Sequence, residues 1–533
     1  MTISKKDVEK AIKEKIRYTR WWPFKDKNVP FEISLHKKFG DMGYVVIRVN
    51  LDDGETRYIQ FPYVFTRNEL SSELINRSIS VDDGFLIEAP YKMDYFVLMN
   101  NLVEEGLLEV KLNVEGKLES EKAEPLSLGS TNAIGKHSLK IGSDTVESIV
   151  KSYTTLSKDN IEPLMISRLD ERKFEYSPKL IAIYRVKPGV ISENDKESYV
   201  SSIIVQYIEG ERDAGKPFAD DIYSRLVSRM SREKQISSQH DEQLEKFAVK
   251  IGRIVADMHY ALNVNIEDEL FGLVPIDDKD IENWINNRIE TYAENISKAL
   301  DNIINREDGD FRKYYENIKS RFNELYGSLK ELIFNNLVYF KESYKGRIHG
   351  DLHFLQMVRS RDKVYIVDFE GEPHRAGRIT DKEPLVRDIA TLCNSLVYIW
   401  FFQYKDAYCR FHRCERIMSK YGDRGEEYLM LKLGWKLIER NRMPPLYDWV
   451  IGKAVLLSLS YGYRIQYYKK EVDLHGFKQE PFVKNYAVYL SPWIFERALY
   501  EMWYELSYRP YQAIVPLLTL HYPPLPYIKY SGS

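Results

Sequence analysis

At 533 residues the chain is too long for one hydrophobic core, so about two to four domains are expected. It is 44% hydrophobic and 29% charged with 27 Gly and 21 Pro, a globular profile that excludes a disordered or collagen-like chain. Lys plus Arg (77) nearly balance Asp plus Glu (80), and a formal net charge of -3 supplies no general drive toward nucleic acid or anionic lipid.

The N-terminal stretch MTISKKDVEKAIKEKIRYTRWW reads as a charged helix without an apolar signal core. GYVVIRVN and RYIQFPYVF then flank a turn at Asp52-Asp53-Gly54, the arrangement of a β-hairpin. LLEVKLNV and the segment after Glu115-Gly116 repeat that pattern, and 68–78 has helical composition. Short strands follow at 147–153, 179–186 and 201–210, with a helix near 161–169 between the first two. Several strands with one helix predict an α+β lobe.

After Gly210 the character changes. Leu244, Phe247, Ala248, Ile251, Ile254, Val255 and Met258 recur at helical spacing and predict an amphipathic helix with one face in the core. Residues 280–343 are helical and heavily charged, the pattern of an exposed face. A short β segment interrupts at 356–370, and helices continue to about 509. The longest apolar run, 396–402, is far short of the ~18 residues that span a bilayer. Cys393, Cys409 and Cys414 are odd in number and lack zinc-site spacing. The expectation is a soluble cytoplasmic protein with reduced thiols and no membrane or nucleic-acid partner.

The chemistry concentrates in RIHGDLHFLQMVRSRDKVYIVDFEGEP, residues 347–373. A turn over Ser360-Arg361-Asp362-Lys363 joins strands 356–359 and 364–369, which sets Gln356 opposite Val367, one rung from Asp368. Asp351, just before the first strand, can face the same spot. Mg²⁺ prefers hard oxygen ligands, few of them from protein, with phosphates and water completing the octahedron. Phosphoryl transfer to a hydroxyl also needs a carboxylate to orient the acceptor and take its proton. HGD or DFEG alone is ordinary turn chemistry; both together, one hairpin apart and followed by Arg387-Asp388, point to this reaction.

HGDLHFLQ followed by VDFEGEP resembles the catalytic and metal-binding loops of aminoglycoside-phosphotransferase-like kinases, and of the maltokinase family in particular. That family carries HGDLHLGQ and DFEGEP, with Gln where protein kinases have Asn. The resemblance implies Asp351 as catalytic base, Gln356 and Asp368 as Mg²⁺ ligands, Glu370 as a helper near the metal on the substrate side, and His349 bracing the loop or touching the acceptor. Leu355 stands where the family has Gly. RWWPFKDKNVP resembles the family's RWFGGKGR opening, and VVIRVNLDDGETRYIQFP the strand pair after it. Trp21 and Trp22 are read as core packing.

SIVKSYTTLSKDNIEPLMISRL resembles the stretch that holds the family's kinase Lys–Glu pair, which implies that Lys151 contacts the ATP phosphates and Glu162 holds it. A strand lysine among Ile149, Val150 and Tyr153 is partly buried and needs a negative partner. No GxGxxG and no GxxxxGK[ST] occurs, so a Rossmann or Walker site is not supported. LSLGSTNAIG stands where the family keeps a phosphate loop, which offers Ser130, Thr131 and Asn132. Val205, Gln206, Tyr207 and Ile208 occupy the hinge whose backbone meets adenine.

In FERALYEMWYELSYRP, residues 495–510, Leu499, Met502, Trp503 and Leu506 form an apolar stripe at helical spacing. Arg497, Tyr500, Glu501, Tyr504 and Glu505 fall opposite. Tyr rings with carboxylates suit a sugar pocket, and the segment resembles the maltokinase signature KALYExxYExxNRP, with Arg497 for Lys and Tyr508 for Asn. The resemblance implies sugar contacts by Arg497, Tyr500, Glu501 and Tyr504.

The expected architecture is an α+β, bilobal protein-kinase-like fold: a β-rich cap at 1–125, a nucleotide-binding lobe at 126–210 and a helical lobe at 211–533. The expected function is Mg²⁺- and ATP-dependent phosphorylation of maltose to maltose 1-phosphate. The alternatives are a kinase of glucosamine, glucose or trehalose, or a non-catalytic scaffold partner of trehalose or glycogen enzymes. A scaffold has no physical need for Asp351, Gln356 and Asp368 together.

Overall fold

The computed structural model describes residues 2–24, 29–51, 54–193, 195–231, 238–264, 268–341, 343–372, 382–471 and 479–526, with the side chains of 238–240, 469–471 and 479–485 excepted. The chain divides into two units: residues up to 171 with 177–209, and 172–176 with 210–372 and the described residues from 382 onward.

The first unit is built on an antiparallel sheet. Its main path runs Phe31–Phe39, Met42–Asn50, Thr56–Thr66, Asp144–Ser157, Tyr199–Gln206, Leu180–Val186 and Leu108–Leu112. Strands Ile79–Val81 and Gly84–Glu88 attach beside Thr56–Thr66, and Glu119–Ser127 with Ala133–Ile141 attach beside Asp144–Ser157. The hairpin expected around Asp52-Asp53-Gly54 is present, with Asn50 opposite Thr56, although Asp52 and Asp53 lie outside the described residues, as do positions 25–28 of the RWWPFKDKNVP segment.

The second expected hairpin is not. Leu108–Leu112 pairs with Leu180–Val186, and Glu119–Ser127 pairs with Ala133–Ile141. Alternation specifies which face of a strand is buried, but not its neighbour. The helical composition of 68–78 yields only a four-residue helix, Ser72–Ile75. Helix Tyr95–Glu104 buries Tyr95, Phe96, Leu98, Met99 and Leu102, which join Tyr44, Val46, Val150 and Ile204 in one core.

A buried amide ties four strands of the sheet. Gln60 donates to the Tyr153 and Ser201 carbonyls, both at 2.6 Å, and accepts from the hydroxyls of Tyr44 and Ser201, both at 2.8 Å. With four partners at an interior site, it avoids the penalty of an unmet polar group. Trp21 and Trp22 are core residues as expected, and Trp21 stacks on Phe61.

The second unit is helical. Helix Ser238–Asn263 buries the predicted stripe, with Phe247 half-buried. Asp278–Trp284 passes through a π-helical turn, Ile285–Glu290, into Thr291–Arg306, and Gly309–Val338 follows. Val386–Phe411, Gly425–Glu439, Tyr447–Glu471 and Gln479–Tyr508 complete the long helices, and Ile514–His521 extends the helical region past the expected end. Among them sits the two-stranded ribbon Met357–Ser360 and Lys363–Ile366.

Two expectations need correction here. Cys409 and Cys414 are joined in a disulfide with a Cα–Cα separation of 5.3 Å, so the reading of three reduced thiols does not hold; Cys393 is free and buried. Residues 280–343 are also more than a solvated face, since Arg288 and Tyr292 are buried. Among the described residues, no helix is long and apolar enough to cross a membrane.

Candidate active site

In the second unit the ribbon forms in the expected register. Ser360 pairs with Lys363, Met357 pairs with Ile366, and the Val367 amide donates to the Gln356 carbonyl at 3.0 Å. Asp368 follows at φ 66°, a left-handed backbone that Asp tolerates better than most residues. That turn brings its carboxylate to the Gln356 amide group at 2.9 Å. Carboxylate oxygens of Asp368 and Glu370 lie within 4.8 Å of each other. The two carboxylates are hard oxygen donors of the kind Mg²⁺ takes, and the Gln356 amide group lies beside them.

The loop carrying Asp351 is held from behind. Buried Asp388 accepts from the amides of His349 at 2.8 Å and Gly350 at 2.9 Å, and contacts His259 Nε2 at 2.9 Å. Burial opposes its ionisation, but His259, the nearby His349 and the Gly350 amide outweigh burial and hold its carboxyl below the usual range. His349 Nδ1 accepts from the Asp351 amide at 3.4 Å, so Nε2 carries the hydrogen donated to the Val367 carbonyl at 2.9 Å. His349 thus links the Asp351 loop to the ribbon. Gly350, at φ 87°, lies where a Cβ would come within 3.4 Å of the Gly371 backbone, so the two loops touch through glycines.

Helix Gln479–Tyr508 brings the other expected residues. Its face of Arg497, Tyr500, Glu501, Tyr504 and Glu505 is largely buried, so it does not serve as a solvated side. Arg497 makes three ionic contacts: Asp351 at 2.9 Å, Glu372 at 3.0 Å and Glu501 at 2.7 Å. Burial disfavours the cation, but Asp351, Glu501 and Glu372 more than offset this and raise its pKa well above the ordinary value. The guanidinium also lies over the Tyr500 ring, 5.0 Å from its centroid. Tyr500 and Tyr504 stack at 6.3 Å, and Tyr292 packs on Tyr500 at 5.8 Å.

Behind Arg497 runs a chain of buried charges that sequence reasoning missed. Glu372 accepts from Arg387 at 2.7 Å, Arg387 donates to Glu496 at 3.1 Å, and Arg288 approaches Glu496 at 3.9 Å while forking onto Glu383 at 3.0 and 2.7 Å. The available signal was the placement of Glu496 and Arg387 inside apolar runs, where charges persist only when paired.

The residues expected to meet a nucleotide lie in the first unit. Lys151 Nζ donates to Glu162 at 2.8 Å, and the Tyr153 hydroxyl donates to the same carboxylate at 2.7 Å. Lys151 sits mid-strand, opposite Ile134 on one side and Ile203 on the other. Ser130, Thr131 and Asn132 form the turn entering the first neighbouring strand. The Asn132 side chain accepts from the Thr154 amide at 3.0 Å, and the Thr131 carbonyl accepts from the Thr154 hydroxyl at 2.6 Å. Gln206 ends the other neighbour. The amides of Gln206 and Tyr207 are engaged by the Lys179 and Glu147 carbonyls, both at 2.9 Å, and Ile208 follows.

Comparison with family models and with curated proteins finds no match. Among solved structures, the chain is similar to a glucosamine kinase in crystal form B at 16% identity and TM-score 0.56, over 92% of this chain and 93% of that one. A glucosamine kinase in complex with glucosamine, ADP and inorganic phosphate gives 16% identity and TM-score 0.54 over 98% and 99%. Crystal form A of glucosamine kinase gives 15% and 0.53 over 92% and 91%. This likeness is one of fold: the chain has an α+β architecture like that of these kinase structures.

Proposed function

We propose that the chain transfers the terminal phosphoryl group of ATP to a hydroxyl of a sugar. The observation that carries this reading is the convergence on one loop-and-ribbon unit of a carboxylate held by an arginine, Asp351, and an amide–carboxylate pair, Gln356 and Asp368. Asp351 takes the proton of the acceptor hydroxyl as its oxygen bonds to the γ-phosphorus and the bridge to the β-phosphate breaks, releasing ADP. Gln356, Asp368 and Glu370 would hold Mg²⁺, which supplies charge neutralisation for the phosphates. Lys151, oriented by Glu162, meets the phosphates. Ser130, Thr131 and Asn132 line them, and the segment Gln206, Tyr207 and Ile208 meets adenine.

Arg497, Tyr500, Glu501 and Tyr504 form the acceptor side. Likeness of this helix to the maltokinase signature supports maltose, phosphorylated at its anomeric hydroxyl. A second reading has its own support: Glu501 and Glu505 each keep a buried carboxylate oxygen without a hydrogen-bond partner, a setting that favours an ammonium-bearing acceptor such as glucosamine. ATP-coupled turnover on maltose, glucose, glucosamine and trehalose, with product regiochemistry by NMR, decides between them. Absence of Mg²⁺–ATP binding by calorimetry would remove the kinase reading and revive the scaffold alternative.

A further inference from the structure

The N-terminal segment carries a cation that no step above uses. Backbone on both sides of Arg77 anchors the Arg20-Trp21 dipeptide: the Arg20 amide donates to the Asn76 carbonyl at 2.9 Å, and the Trp21 indole N–H donates to the Arg77 carbonyl at 2.8 Å. The Arg77 side chain holds the turn at 128–132. It donates to the carbonyls of Leu128 at 3.3 Å, Asn132 at 3.4 Å, and Ser130. One buried residue therefore fixes both the arm that carries Arg20 and the turn beside it.

Arg77 does not itself offer charge to a ligand. Its guanidinium forks onto Glu88 at 2.7 and 2.9 Å with both side chains buried. Lys151, paired with Glu162, is the cation already assigned to the phosphates above. Arg20 is exposed and has no ion-pair partner among the described residues, and its Nη2 lies 3.7 Å from where a Cβ on Gly129 would stand. The turn's carbonyls face Arg77 and Thr154, while Gly129 and Thr131 are exposed. The exposed part of the turn and an uncompensated guanidinium thus share one surface. Guanidinium is suited to forked hydrogen bonding with phosphate oxygens.

We propose that Arg20 is a phosphate-contacting residue of the nucleotide site, reaching the β- and γ-phosphates over the turn at 128–132. This rests on the reading of that turn as the ATP phosphate loop. The arm then has a function: it delivers a second positive charge to the phosphates, beside the one Lys151 supplies.

Calorimetry with Mg²⁺–ATP, ADP and AMP on the full chain tests it. Arg20→Gln is expected to weaken ATP binding about 10-fold or more, the scale of a lost charge-assisted hydrogen bond, with AMP within about twofold of the unmodified chain and Arg20→Lys in between. Lys13→Gln, which removes one exposed charge elsewhere on the first unit, is expected to leave ATP affinity within twofold. ATP affinity unchanged in Arg20→Gln, or an equal loss for ATP and AMP, overturns the assignment while leaving the kinase reading intact. An unmodified chain that binds no ATP overturns both.

Discussion

Arg497 donates to Asp351 at 2.9 Å, and the same guanidinium is held by Glu372 and Glu501. Asp351, the base of the proposed reaction, therefore has its orientation set by a residue far away in the chain. Each of the three contacts uses a different nitrogen of the planar fork, which a lysine ammonium cannot reproduce. Arg497→Lys is expected to lower kcat about 10-fold and Arg497→Met at least about 100-fold, with KM for ATP nearly unchanged, because the residue acts on the acceptor side. Steady-state kinetics with each substrate varied checks this; a rise in KM for ATP with kcat unchanged would place Arg497 elsewhere in the mechanism.

Asp351→Asn keeps the shape of the side chain and removes the proton acceptor. Turnover is expected to fall about 10²–10⁴-fold, the range of general-base contributions, while calorimetric ATP affinity stays within a few-fold. Wild-type turnover in this variant would remove Asp351 from the chemistry.

Asp388 supports stability and site geometry together. Its carboxylate satisfies two backbone amides and contacts His259 in the buried interior. Asp388→Ala leaves those donors unmet at an expected cost of about 3–5 kcal/mol, read as a loss of several degrees in Tm. The folded-state carboxyl lies below its usual pKa despite burial. Its contribution is therefore present above the unfolded value and fades as pH falls through the folded one. The alanine variant is expected to lose this acid-side component of the stability profile.

These charge relations mark the limit of what the chain order reveals. The ribbon was legible, since a turn at Arg361-Asp362 and period-two alternation specify a local register that sets Val367 against Gln356. The stripe of Leu244 to Met258 was legible for the same reason, periodicity being a local signal. The partners of Glu372 were not. They lie 15 and 125 positions away, at Arg387 and Arg497, and pairing between helices leaves no trace in local pattern. The neighbour of Leu108–Leu112 was hidden likewise, because its partner strand begins at Leu180. The Cys409–Cys414 bond is equally hidden, because an odd count of cysteines fits one pair and one buried free thiol as well as three free ones.

Glu505 gives a pH signature. One carboxylate oxygen accepts from Arg509 at 2.9 Å, and the other is buried without a hydrogen-bond partner. Burial, only partly offset by Arg509, pushes its carboxyl up from 4.5 to about 7. A raised carboxyl pKa means that the folded state prefers the protonated form. The associated stability is complete below pH 4.5 and is lost as pH rises through about 7, a span worth on the order of 3 kcal/mol. Glu505→Gln removes the ionisation while keeping an acceptor for Arg509. The Tm of the Gln variant is expected to track the unmodified chain near pH 4.5 and to exceed it by a few degrees at pH 8. Parallel Tm curves for the two proteins across this window would show that Glu505 ionises without cost, and that its unmatched oxygen is solvated.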